Sequence, residues 1–201
     1  MVAKIKSGKS LIGALNYNEN KVKLGNALLI SVNGYIKNHN ALTFDEKLFR
    51  LKDLAGRNSR TKTNTVHLSL NFDLTESLEK EKLIAIADEY MKRIGFENQP
   101  YLIYQHFDAG HPHIHIVSTN IEPDGKRISL HNIGELKSEP ARKGIEIGFG
   151  LVQAGSKNKQ SETGKLKIQP QVAMFKQVFS DGQQQQWNNA DASEIPGSAE
   201  V

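Results

Sequence analysis

The chain has 201 residues, 38% hydrophobic and 24% charged, with a formal net charge of +4 and no cysteine. That length can bury one sizeable core, and the missing thiols exclude both a disulfide framework and a thiolate metal site. The opening residues 1–9 carry no apolar core of signal-peptide length, and no run approaches a membrane span, so a cytoplasmic protein without membrane insertion is expected.

The charge is unevenly spread. Residues 1–62 hold twelve Lys or Arg against four Asp or Glu, whereas residues 63–201 hold fourteen against eighteen. Nucleic-acid affinity is dominated by phosphate neutralisation, so the basic part is a candidate polyanion surface; lysines scattered over solvated faces would give the same composition.

Taken in order, Ser7 to Asn20 reads as a short helix or turn region with Ser10 as N-cap and Leu11, Ile12 and Leu15 as its apolar side. It delivers Tyr17 between Asn16 and Asn18. Asparagines are poor core neighbours, so a solvent-accessible phenol is expected. Ala27 to Val32 is apolar and β-rich, and Asn33-Gly34 after it signals a turn. Thr43 and Glu46 form a capping box that opens a helix carrying Leu48, Leu51, Leu54 and Ala55 and stopping at Gly56. The loop Arg57 to Asn64 has the donors that contact phosphates and sugars, and is equally natural as a solvated connection.

Thr65 to Phe72 alternates Val66, Leu68, Leu70 and Phe72 with His67, Ser69 and Asn71, a strand with one core face. Leu74 to Ile94 has helical periodicity, places Tyr90 in its apolar stripe, and ends at Gly95. Glu122 to Lys126 reads as a turn, and Pro140 starts a helix through Glu146 that Gly148 to Leu151 ends. Residues 156–201 are polar and lysine- and glutamine-rich, which predicts a disordered tail with a brief helix over Val172 to Phe179; the folded domain is residues 1–155.

Between these lies the most informative stretch. Four of the seven histidines, His106, His111, His113 and His115, fall within ten residues. Tyr101 to Phe107 and Pro112 to Ser118 read as two strands joined by the four-residue loop Asp108 to His111. Pairing Phe107 with Pro112 sets His106 opposite His113 and Tyr104 opposite His115 on one face, with Cβ atoms about 4.5–5.5 Å apart. Three imidazoles then converge on one point, where neutral ring nitrogens could hold a divalent ion and leave positions open. A single strand histidine is ordinarily a packed or surface residue; three on one face of one hairpin are not. His67 joins them if its side chain lies on that sheet face, and is otherwise exposed. Asp108 fits an acceptor that orients an imidazole, and equally fits ordinary turn chemistry. His111 shares the parity of His113 but precedes a proline at the loop edge.

The spacing His106-x-Asp108 followed by Pro112-His113-x-His115, with an early Tyr17 and an intervening His67 strand, resembles the mobilisation relaxases of the HUH endonuclease superfamily. The segments Gly13 to Asn18 and Gln99 to Asp108 look like a branch carried on bacterial mobilisable and conjugative elements, and the likeness covers roughly residues 1–155. It implies an α+β fold, an antiparallel sheet of about five strands flanked by helices. It implies that Tyr17 is a nucleophile joined to a 5′ DNA end at a transfer origin, that His106, His113 and His115 are a metal triad, that Asp108 accompanies it and that His67 lies beside it. The cofactor implied is a divalent metal, Mg or Mn; the partners are single-stranded or locally melted origin DNA, accessory mobilisation proteins and a coupling protein. Relaxases commonly extend well past the nuclease domain, whereas this chain passes into a polar tail. A DNA-binding accessory or degenerate relaxase that does not nick, and a replication-initiator-like nickase, are the competing readings.

Overall fold

The computed structural model describes residues 1–155; the expected tail and the helix over 172–179 lie outside the described residues. Val2–Gly8 forms strand β1, which the sequence reading does not assign. Its lysines, Lys4 and Lys6, alternate with Ala3 and Ile5 in a short period-two pattern, and charge on an edge strand discourages pairing with other chains. Helix α1 follows over Leu11–Lys23, three residues longer at its end than expected, with the Ser10 hydroxyl accepting from the Gly13 amide at 3.0 Å. Strand β2 is Ala27–Asn33, and helix α2 is Phe44–Gly56, opened by the expected capping box between Thr43 and Glu46.

Strand β3 is Thr65–Asn71 and helix α3 is Lys80–Arg93. The helix starts six residues later than its apolar pattern suggests. Asp73 accepts from the amide and hydroxyl of Thr75 while Glu76 accepts from the Asp73 amide, a local turn that competes with helix and leaves Leu74 exposed. Tyr90 is fully buried and its hydroxyl meets Ser138 at 2.6 Å. Strands β4, Tyr101–His106, and β5, His113–Thr119, form the hairpin, with a connection two residues longer than expected. A single π turn, Gly134–Ser138, leads into helix α4, Glu139–Gly148.

The five strands form one antiparallel sheet in the order β1-β3-β5-β4-β2. Period-two alternation gives it two faces. On one, Val66, Leu68, Leu70, Ile103, Ile114 and Ile116 pack with Leu83, Ile86, Tyr90 and Met91 of α3 and with Ile145 of α4. On the other, Leu29, Leu102, Tyr104 and Val117 pack beneath Leu11 and Leu15 of α1 and Leu48 and Leu51 of α2. This second face is apolar only over part of its area. Farther along the same strands it presents His106, His113, His115 and His67 in place of aliphatic residues.

The basic loop after α2 is largely structural at its start. Arg57 donates to Pro123 O and pairs with Asp53, and Asn58 donates to Gly125 O, each at 2.8 Å. Gly125 closes the expected turn at φ +82, where a Cβ would stand 3.0 Å from Arg57 O, so both space and backbone conformation favour glycine. Among the described residues no helix is long and apolar enough to cross a membrane.

Candidate metal centre and nucleophile

The hairpin register is the one the alternation predicts: His106 lies opposite His113, and Tyr104 opposite His115. In β3, Ser69 lies opposite His115 and Asn71 opposite His113, which puts His67 on the imidazole face as well. One ring nitrogen from each of His106, His113 and His115 lies within 4.8 Å of the others. His106 and His113 are buried, at 2% and 6% exposure, and His115 is half-buried.

The proton on each ring can be assigned from its hydrogen bonds. Asn18 donates its amide nitrogen to Ala14 O at 2.8 Å, so its Oδ1 is an acceptor and takes a hydrogen bond from His106 Nε2 at 2.9 Å. His113 Nδ1 donates to His111 O at 3.1 Å. His67 Nε2 faces the Asn18 amide nitrogen at 3.5 Å and His115 Nδ1 at 2.9 Å, which makes it the acceptor and His115 the donor. Each ring of the triad thus donates through one nitrogen and keeps an unprotonated nitrogen on the other. On His106 that nitrogen, Nδ1, is buried and has no hydrogen-bond partner.

An orphaned buried lone pair among three neutral imidazoles fits a divalent cation, and each ring's outer donor bond is the support that metal-ligating histidines ordinarily have. Electrostatics agree with neutral rings. Burial, reinforced by the His113 ring, lowers His106 to about 4, and burial with the neighbouring His106 and His67 rings lowers His115 to about 3. Burial also lowers His113 and His67.

Asp108 is not hydrogen-bonded to either ring. Its Oδ1 stands 3.7 Å from His106 Nδ1 and 3.5 Å from His113 Nε2, while its Oδ2 pairs with Lys21 at 2.7 Å. Burial opposes its charge, and the Lys21 ammonium outweighs burial and keeps its carboxyl below the usual range. The imidazole orientations are set instead by Asn18, His111 O and His67. His111 turns its Nε2 to Asn71 Oδ1 at 3.2 Å and stands outside the three-nitrogen group.

Tyr17 reaches this site from α1. Its ring centroid lies 5.8 Å from those of His67 and His115 and 6.0 Å from that of His106, nearly parallel to the last at 25°. At 45% exposure its side chain is accessible from solvent, as its polar context suggests. Three neighbours on α1 fix it there. Asn18 is fully buried, contrary to the expectation that its polarity keeps it out of the core. Glu19 Oε1 accepts from Tyr104 at 2.6 Å and Lys47 at 2.8 Å, and Lys21 reaches Asp108. Sequence reading missed these three. Leu11, Leu15 and Asn18 sit at i, i+4 and i+7, so the stripe itself marks Asn18 as buried.

A groove of about 530 Å³ runs past the Tyr17 ring, lined by Lys4, Lys6, Ser69 and Asn71 together with His67, His111, His113 and His115.

Residues 17–151 match the model of the relaxase family described as MobA/VirD2-like, nuclease domain. The chain belongs to this family of mobilisation relaxases, and its nuclease domain is that of a DNA endonuclease. No curated protein matches it. Among solved structures it is similar to the MobM relaxase domain (MOBV; Mob_Pre), crystallised with Mn and 23 nucleotides of plasmid pMV158 oriT DNA at pH 6.5. That similarity has a TM-score of 0.48 and 19% identity, covering 90% of this chain and 98% of the other.

Proposed function

We propose that this relaxase nicks and rejoins one DNA strand at a transfer origin through a covalent 5′-phosphotyrosyl intermediate on Tyr17. The observation that carries this reading is the placement of an accessible phenol ring within 6.0 Å of the His67, His106 and His115 rings, all on one sheet face. The activity belongs to residues 1–155, acting on single-stranded or locally melted DNA in the cytoplasm, with accessory mobilisation proteins and a coupling protein as partners.

His106, His113 and His115 hold a divalent ion, Mg or Mn. When bound, such an ion neutralises charge on the nonbridging oxygens of the scissile phosphate. By intrinsic affinity three imidazoles favour manganese, zinc or other transition ions, whereas magnesium prefers oxygen donors. His67 supports His115 by accepting its Nδ1 proton. Lys4 and Lys6 line the approach and offset phosphate charge. The Tyr17 oxygen forms the new ester bond to phosphorus as its proton leaves, and the 3′ oxygen departs and takes up a proton. One phosphodiester is exchanged for another, so rejoining needs no nucleotide triphosphate.

The test is incubation of the full chain with a single-stranded origin oligonucleotide and Mn²⁺. A protein–DNA adduct should form and a free 3′ hydroxyl should appear; both should vanish in Tyr17→Phe and after chelation. An adduct that survives Tyr17→Phe would move the nucleophile elsewhere, and binding with no adduct under either metal would favour a non-nicking accessory role.

A further inference from the structure

We infer that Asn18 is a positioning residue: its amide fixes the His106 tautomer, keeping Nδ1 unprotonated for a divalent cation, and ties that ring to the helix that carries Tyr17. This inference rests on the metal reading of the triad given above.

Three observations carry it. Asn18 is fully buried at a position of α1 where the Leu11–Leu15 stripe calls for an apolar side chain. A buried amide without partners is costly, so its bonds to Ala14 O and His106, with the longer contact to His67 Nε2 at 3.5 Å, decide its orientation. The Ala14 carbonyl takes the amide hydrogen, which turns Oδ1 toward His106 and makes it an acceptor only. His106 answers with Nε2–H, and its Nδ1 is left buried, unpaired and 3.7 Å from Asp108 Oδ1. Without the Asn18 acceptor the ring has a competing choice. The Asp108 carboxylate is then the better acceptor, and the proton moves to Nδ1, onto the nitrogen needed for a cation. Because Asn18 adjoins Tyr17 in sequence, one residue holds both the ligand's protonation and the nucleophile's backbone in register.

Asn18→Leu and Asn18→Asp separate this role from packing. Leucine completes the apolar stripe, so Asn18→Leu should unfold no more readily than wild type; aspartate retains an acceptor oxygen. In the full chain without metal or DNA, the ¹⁵N shifts of the His106 ring should report Nε2–H in wild type and in Asn18→Asp, and Nδ1–H in Asn18→Leu. Titration with Mn²⁺ alone, followed by electron paramagnetic resonance of the free ion, should show affinity about tenfold to hundredfold weaker in Asn18→Leu, with Asn18→Asp recovering most of it. Unchanged Mn²⁺ affinity in a folded Asn18→Leu chain, or a wild-type ring protonated on Nδ1, would overturn the inference. A wild-type chain that binds no Mn²⁺ would instead sink the metal reading, and the nitrogen shifts would still decide whether Asn18 sets the tautomer.

Discussion

At the scale of single residues, the histidines make stability depend on pH in a definite direction. In the unfolded chain each titrates at about 6.5, whereas folding lowers His106 to about 4 and His115 to about 3. Between those limits the unfolded state binds more protons. Their contribution is therefore present above pH 6.5 and lost as pH falls through the window below it. With chelator present, the melting temperature should decline from pH 6.5 to about 5, before most carboxylates titrate, and His115→Leu should flatten that decline. A wild-type melting temperature constant over this range would contradict buried neutral rings. The triad was legible in sequence because alternating imidazole and isoleucine has only one face to occupy. Asn18 was less legible, because an asparagine is a poor core residue and only its place in the Leu11–Leu15 stripe marks it as buried.

At the scale of elements, α1 behaves as a plate bolted to the sheet through polar contacts beneath its surface. Glu19 pairs with Lys47 nearly out of solvent, with side-chain exposures of 8% for Lys47 and 13% for Glu19, and also accepts from Tyr104. Burial, strengthened by Glu19, raises the Tyr104 phenol far above its usual range, so it remains a donor. Glu19→Ala strands the Lys47 ammonium and should cost about 3–5 kcal/mol in urea unfolding. A loss under about 1 kcal/mol would mean that the pair is hydrated after all. Helix α2 was readable to the residue, since Thr43 and Glu46 cap each other reciprocally. The start of α3 was not, because the hydrogen bonds of Asp73 with its neighbours outcompete helix over residues that have the right apolar spacing.

At the scale of the whole molecule, the basic bias of the first 62 residues becomes a surface with a location. Lys4 and Lys6 project from β1 on the imidazole face, with Lys6 opposite His67, whereas Arg57 is taken up by Asp53 and Pro123. If both lysines contact phosphates, Lys4→Ala combined with Lys6→Ala should reduce the magnitude of the log–log salt slope for single-stranded DNA by about 1.4. An unchanged slope would place the DNA off this groove. Four of the five strands and the hairpin pairing followed from sequence, but β1 and the order of strands did not, because order rests on pairing between distant segments that no local pattern encodes. The cross-strand register also governs which changes the fold can absorb. The connection between His106 and His113 could lengthen with both strands still paired as they are, since ladder bonds hold the rings at their stations. One residue gained inside β5 would send its imidazoles through the sheet into the hydrocarbon beneath α3 and bring isoleucines up in their stead, so the fold admits added length in the bend and not within the pleats.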